Sequence, residues 1–279
     1  MAALQLPSGE EVYTRLGNVA FFNQLGIKVD LDAVADSAYF AWLDRMTHKI
    51  GQLIPGAQIA EKENGLPDSR TTPTLNIGVY YDTSDYRMLT TGAFLRTTCN
   101  RVTHAFCAFK LPRNDHGVRR DHRYMFEGDE ELIIQTAPTS PEAVAIVHRL
   151  LARKDIEHPG TYLERYYGIR AEELEPSIVL ERYISSFFVW LDKRDALRCP
   201  LDRCDVANLR QPESERQRGT FKEVELNIYP HIDPAVAKDQ RVVALIELLT
   251  SSVCEELGGQ ITTKIKYQRG AHALGIDAQ

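Results

Sequence analysis

The stretch FKEVELNIYP, residues 221–230, constrains the fold more than any other. Glu223, Glu225 and Asn227 alternate with Val224, Leu226 and Ile228, the period of a strand with one polar and one apolar face. Other stretches split by parity in the same way. In 21–29, Phe22, Gln24, Gly26 and Lys28 oppose Asn23, Leu25, Ile27 and Val29. Arg96 shares a face with Thr98, Lys110 with Ala108, Phe106 and His104, and Arg198 with Asp202. In 260–267, Thr262, Lys264 and Lys266 oppose Thr263, Ile265 and Tyr267.

Such polar faces meet either bulk water or an enclosed cavity. An open sheet, charged faces in solvent and apolar faces on helices, is the plain alternative for any one strand. Two features favour closure. The charges are sparse, with Thr, Ser, Gly and Ala between them, and they are mixed: many Arg and Lys beside one tight Glu pair. About eight strands can close around a ligand. The expected fold is α+β, mainly antiparallel: an eight-stranded closed β-barrel tunnel with helices packed outside.

Strands are expected over 19–29, 75–83, 92–99, 104–111, 117–126, 177–192, 196–207, 221–229 and 260–267. Their short connections favour antiparallel pairing. Residues 36–50 read as an amphipathic helix stopped by Gly51. Ser140-Pro141 supplies an N-cap and a proline at the first position of a second helix. Asp233-Pro234 opens a third, which runs to Gly258-Gly259. Residues 54–74 and 208–220 read as loops. No linker divides the chain, so 1–279 is taken as a single domain with its barrel core at about 22–270.

The 279 residues carry a net charge of −6, with 43% hydrophobic and 26% charged residues. The whole molecule therefore does not attract nucleic acid or acidic membranes, and an anion site must come from clustered Lys and Arg. MAALQLPSGEE lacks the basic and apolar regions of a signal peptide, and no apolar run approaches the ~18 residues of a membrane span. Cys99, Cys107, Cys199, Cys204 and Cys254 are odd in number and scattered, with no disulfide or zinc pattern. A cytoplasmic location fits these features. A homodimer is left open.

A lumen of this kind suits a polyanion accompanied by a divalent cation. Guanidinium and ammonium groups bind phosphate oxygens through charge-assisted hydrogen bonds. Two carboxylates on alternate strand positions, roughly 6.5–7 Å apart, can share a hard cation such as Mg²⁺.

At this point the chain resembles the CYTH, or triphosphate tunnel metalloenzyme, superfamily, which includes the polyphosphate domains of vacuolar transporter chaperones. YYDTSDYRMLTTGAFLR resembles its Tyr-x-Asp-Thr segment and Leu-Arg strand. FKLP resembles its tunnel lysine strand, LRCPLDRCDVA its Arg-x-x-x-Asp strand, and EVEL its late Glu-x-Glu strand. KIKYQRG resembles its closing Ser-Lys-Tyr motif, with Ile265 in place of Ser. The order and spacing of the segments carry the resemblance over about 22–270. It implies a triphosphate-bearing substrate and Mg²⁺ or Mn²⁺.

Carried over by position, the resemblance assigns phosphate contacts to Lys28, Arg96, Lys110, Arg119, Arg123, Arg182, Arg198 and Lys266. It assigns the metal to Glu223 and Glu225, and catalysis to these two with Lys28. In 117–126 the competing face is Arg120 and His122; the face with Arg119, Asp121 and Arg123 is preferred. Two departures stand out. The Glu-x-Glu-x-Lys of the first strand is here Gln24-Leu-Gly26-Ile-Lys28, and an Arg-x-Arg becomes Arg96-Thr-Thr98. Asp30 shares the parity of Lys28 and could replace a lost carboxylate.

Three functions follow. One is a metal-dependent phosphohydrolase or phosphoryl- or nucleotidyl-transfer enzyme, a nucleotide cyclase included, acting on inorganic triphosphate or a nucleoside triphosphate. The second is a binding module for polyphosphate or a nucleotide with a degenerate metal site. The third is a helix-decorated sheet with solvated charges. In that reading Trp190, Phe187 and Phe188 are core, His104 and His122 are structural, and Arg269 pairs with a surface acid.

Overall fold

The computed structural model describes residues 13–60, 70–100, 104–228 and 236–276. The chain begins with β1 (Tyr13–Leu16), β2 (Val19–Asp30), α1 (Asp36–Leu53) and β3 (Ala57–Ala60). Next come β4 (Thr74–Asp82), α2 (Arg87–Thr91), β5 (Phe94–Asn100), β6 (Ala105–Lys110) and β7 (Val118–Met125). Three helices follow, α3 (Gly128–Thr136), α4 (Pro141–Leu151) and α5 (Pro159–Tyr167). Then come β8 (Glu175–Ser185), β9 (Phe188–Leu191), β10 (Arg194–Arg198), β11 (Leu201–Asn208) and β12 (Arg218–Asn227). The described chain ends with α6 (Gln240–Leu257), β13 (Gln260–Thr262) and α7 (Lys266–Ala273).

Eight strands pair in the order β2-β7-β6-β5-β4-β8-β11-β12, all antiparallel, and β12 returns to pair with β2. The sheet is a closed barrel, as the alternation predicts. In the closing seam Glu225 stands opposite Lys28 and Glu223 opposite Asp30. Closure removes the exposed edges that an open sheet would leave. A β10-β9-β3 extension pairs onto β12 at Arg198–Asn227.

Three apolar clusters hold the barrel, and the alternation of each strand decides which cluster it feeds. Leu25, Ile27 and Val29 of β2 and Val224 and Leu226 of β12 point outward onto α1 and α6. Trp42 of α1 is fully buried there, its indole N–H donating to Ser252 Oγ at 2.8 Å. Val79, Leu95, Cys107 and Phe109 point outward on the opposite side, under α3, α4 and α5. Each such fully buried side chain contributes about 1.5–3 kcal/mol.

The third cluster lies within the barrel. Tyr80, Phe94, Ile178, Leu180, Cys204, Val206 and Phe221, all of inward parity, pack on Ile265, Tyr267, Ala271 and Leu274 of α7 and its flanks. Gly270 lets α7 come this close. A Cβ there would meet Ile178 Cδ1 at 3.0 Å and Val206 Cγ2 at 3.2 Å. The helix thus fills one end of the lumen. Tyr267 pins it, donating to Asp82 Oδ2 at 2.8 Å and stacking on Tyr80 with centroids 5.0 Å apart.

Several sequence expectations are corrected. The strand expected over 260–267 is only β13; Lys266 instead opens α7. The stretch 177–192 breaks at 186–187 into β8 and β9, and 196–207 breaks at Cys199-Pro200 into β10 and β11, where proline supplies no ladder N–H. Gly51 does not stop α1, which runs on to Leu53. Asp233-Pro234 lies outside the described residues; α6 is capped by Asp239, whose carboxylate accepts from Arg241 N at 2.9 Å, and ends at Gly258 with φ 72° as expected. Ser140 caps α4 as expected, accepting from Ala143 N at 3.1 Å.

The loop read over 54–74 contains β3, and α2, α3 and α5 were not foreseen. These three helices are only 5, 9 and 9 residues long, too short for the apolar period to declare itself. The five cysteines are free thiols. Among the described residues no helix is long and apolar enough to cross a membrane.

Candidate functional site

The inward faces of the strands enclose a cavity of about 410 Å³. Its wall carries Lys28 from β2, Arg96 from β5, Lys110 from β6, Arg119 and Arg123 from β7, Arg182 from β8, Arg198 from β10 and Lys266 from α7. All eight cations expected at phosphate thus reach one space. Among the described residues Glu225 is the acid in that wall.

Arg120 is exposed and His122 points away from the lumen, stacked on Tyr162 with centroids 3.8 Å apart, so Arg119, Asp121 and Arg123 form the inward face of β7. His104 lines the mouth with a largely exposed ring.

Two ionic clusters organise the wall. In the first, Asp202, Glu223 and Glu225 gather around one ammonium. Lys266 Nζ lies 2.8 Å from Asp202 Oδ2, 2.5 Å from Glu223 Oε1 and 3.1 Å from Glu225 Oε2. Lys28 Nζ donates to Glu223 Oε1 at 2.7 Å, and Arg269 Nη1 to Glu223 Oε2 at 3.1 Å. Arg113 Nη2 donates to Glu225 Oε1 at 2.9 Å, with Arg119 Nη2 at 3.5 Å from the same oxygen. In the second cluster Asp121 accepts from Lys110 at 2.5 Å and from Arg123 Nη2 at 2.9 Å.

Arg96 stands apart from both, its Nη1 donating to the Tyr80 hydroxyl at 3.2 Å. The Nε atoms of Arg96 and Arg119 and the Thr98 hydroxyl are buried with no hydrogen-bond partner among the described residues, although all three residues line the cavity. Side chains that keep unmet donors in the wall of one cavity favour a polar, anionic ligand there.

Burial and charge act on the two clusters differently. Burial lowers Lys28 to about 8 although Glu223 works against it. It pushes Lys110 well below the ordinary lysine range in spite of Asp121. For Lys266 burial is outweighed by Asp202, Glu223 and Glu225, which hold it well above that range. Glu223 has burial against ionisation, yet Lys266 and Lys28 bring it down to about 2.

Some assignments need correction and some residues were missed. Asp30 does not join the carboxylates: it is part-exposed at the rim and pairs with Arg269 at 3.0 Å. Arg269, read as a surface partner, is buried and bound to Glu223. The third carboxylate is Asp202, whose parity with Arg198 was visible but whose convergence with Glu223 depends on β11–β12 register. Arg113 comes from the turn after β6, where no period exists to point to it.

The first-strand departures are also explained. Gln24 Oε1 accepts from Arg119 Nη2 at 3.1 Å. At Gly26 a Cβ would lie 2.6 Å from Leu226 O and 2.7 Å from Asn227 Cβ, so the seam leaves no room for a glutamate.

Asp202, Glu223 and Glu225 each bring an oxygen within 4.8 Å of the others, a cluster of the kind a hard cation uses. As arranged, these carboxylates do not fit Mg²⁺ or Mn²⁺, because Lys266 already bonds all three and five further side chains, Lys28, Arg113, Arg119, Arg182 and Arg269, contact them. Asp202 Oδ1 is buried without a hydrogen-bond partner among the described residues, but one oxygen is far short of the shell such an ion needs.

No known family pattern and no curated protein matches the chain. Solved structures of similar chain trace include a candidate adenylate cyclase from Bacillus halodurans, with TM-score 0.49 and 14% identity over 88% of this chain and 97% of that one. HpAC1 from Hippeastrum, a candidate adenylyl cyclase with a dominant triphosphatase activity, gives TM-score 0.47 and 14% identity over 88% of this chain and 94% of that one. The PH1819 protein of Pyrococcus horikoshii gives 0.45 and 10% over 88% and 97%.

Proposed function

We propose that the chain is a CYTH-type tunnel protein that acts on a triphosphate-bearing small molecule, inorganic triphosphate or a nucleoside triphosphate. One observation carries this: eight cationic side chains from six strands and a helix converge on a single cavity of about 410 Å³. A cluster of buried like charges is costly unless a counter-charge meets it. The surrounding carboxylates are too few to be that counter-charge. Arg96, Arg119 and Thr98, each with a buried donor unmet among the described residues, lie in the same wall.

In this reading Arg96, Lys110, Arg119, Arg123, Arg182 and Arg198 hold the phosphates and stabilise charge as a P–O bond breaks. Lys28, lowered to about 8, sits in the range where a lysine can exchange a proton near neutral pH. Glu223 and Glu225 hold Lys28 and Lys266 in place.

Binding without turnover is the second reading, favoured by Gln24 and Gly26 standing where the resemblance implies carboxylates. The test is incubation with inorganic triphosphate, ATP and GTP, with and without Mn²⁺, followed by phosphate release, separation of cyclic products and thermal shift. Turnover supports the enzyme, and a cyclic product makes it a cyclase. Stabilisation without product supports the binding module. Folded protein showing neither effect refutes both.

A further inference from the structure

We infer that Lys266 takes the place of a divalent cation: its ammonium is the resident cation of the Asp202, Glu223 and Glu225 cage, and the cavity binds its polyanion metal-free. The inference rests on the triphosphate reading above for its ligand, but the cage itself is independent of that reading.

The geometry is the first argument. The Lys266 ammonium has three donors and meets three carboxylates, at 2.5, 2.8 and 3.1 Å. It is tethered at the first turn of α7, which is wedged into the barrel by Tyr267 and Gly270, so it does not diffuse away as an ion would. A metal ion arriving alone would have to displace a buried ammonium, leaving that charge without partners.

Charge balance is the second argument. Eight cations line the cavity, and four carboxylates, Asp121, Asp202, Glu223 and Glu225, contact them. Arg113 adds a further cation on Glu225, while Arg269 is shared between Glu223 and two more acids, Asp30 and Asp32, so counting these four groups leaves the balance unchanged. With Lys110 protonated, as a bound anion favours, the surplus among the described residues is four positive charges, of the size that a triphosphate, with one to two negative charges on each phosphate, would neutralise. A dication would overshoot it. The neutral amide of Gln24 and the filled space at Gly26 remove the acids that would restore room for such an ion.

The test uses chelator-treated full-length protein. Mn²⁺ alone is titrated and free Mn²⁺ is followed by its paramagnetic resonance signal. Wild type is expected to show no saturable site, while Lys266→Ala gains one that is tighter by on the order of tenfold or more. In parallel, the thermal shift given by inorganic triphosphate is measured in EDTA, where it should persist in wild type.

A stoichiometric Mn²⁺ site in anion-free wild type overturns the inference, whether or not Lys266→Ala folds. So does a triphosphate shift that appears only with Mn²⁺, an outcome that leaves the triphosphate reading intact. If triphosphate gives no shift under any condition, the triphosphate reading falls, and the Mn²⁺ titration still decides the cage.

Discussion

Lys110 and Asp121 face one another across the β6–β7 pair, Nζ to Oδ2 at 2.5 Å, and both are buried. Asp121 also holds Arg123, so the carboxylate divides its charge between two cations while Lys110 bears the full cost of burial. Burial accordingly lowers Lys110 well below its ordinary range. An anion in the cavity favours the protonated amine and raises it again. Triphosphate affinity should therefore be highest where Lys110 is protonated and should be lost as pH rises through its lowered value. Binding should also take up protons, which calorimetry in buffers of different ionisation heat reads directly. Lys110→Met should lower affinity by roughly tenfold or more and reduce the proton uptake. Proton uptake equal to wild type in that variant would place the titrating group elsewhere.

Glu223 is fully buried and accepts from Lys28, Lys266 and Arg269 at once. Removing its charge leaves three cations competing for the acids that remain. Glu223→Gln is expected to destabilise the ligand-free protein by about 3–5 kcal/mol, the usual cost of breaking a buried ion pair from one side. Because the loss is one of counter-charge, inorganic triphosphate should raise the melting temperature of the variant more than that of wild type. An unfolding free energy from denaturant titration within about 0.5 kcal/mol of wild type, the range of solvated surface positions, would contradict the buried network.

How much of this was readable in advance follows from what periodicity encodes. The face on which Gln24, Lys28, Arg96, Lys110, Glu223 and Glu225 lie is a local property of each strand, and parity gave it correctly. Closure was legible because sparse charges on otherwise small or apolar faces make poor solvent surfaces. Two kinds of feature were hidden. Lys266 reaches the lumen on a helix rather than a strand, because the apolar side chains around it (Ile265, Tyr267, Ala271) pack inside the barrel, a contact no local pattern announces. Asp202, Arg113 and Arg269 meet Glu223 and Glu225 only through long-range register and a turn. The Arg269 reading failed because an arginine at a helix face is ordinarily solvated.

On the outer side of the barrel His122 is wedged between Tyr162, Phe109 and Phe21, and neither ring nitrogen has a hydrogen-bond partner among the described residues. Burial lowers it from 6.5 to about 4 against the pull of Asp121. The unfolded chain protonates this residue below about 6.5 while the folded chain holds it neutral. Its penalty is absent above that pH and grows as pH falls towards about 4, where stability has lost roughly 1–3 kcal/mol. His122→Phe keeps the stack and removes the titration. Its melting temperature should fall less than that of wild type between pH 6.5 and pH 4, and parallel profiles would show that other groups set the acid limb.

The two first-strand positions should respond in opposite ways when a side chain is added. At Gly26 even a methyl group meets the Leu226 carbonyl oxygen and Asn227 Cα, backbone of the β2–β12 seam, as well as Asn227 Cβ. Gly26→Ala is expected to cost about 1–3 kcal/mol, read from urea denaturation, as overpacking does elsewhere. Gln24→Glu adds no volume and places a carboxylate beside the Arg119 guanidinium, so the fold should tolerate it. The new charge would, however, engage a cation that we assign to phosphate. Triphosphate affinity of Gln24→Glu should drop by about tenfold, the cost of one competing charge in a partly screened cavity. Tighter binding of triphosphate in that variant, and only when Mn²⁺ is present, would instead mean that the added carboxylate had completed a metal site.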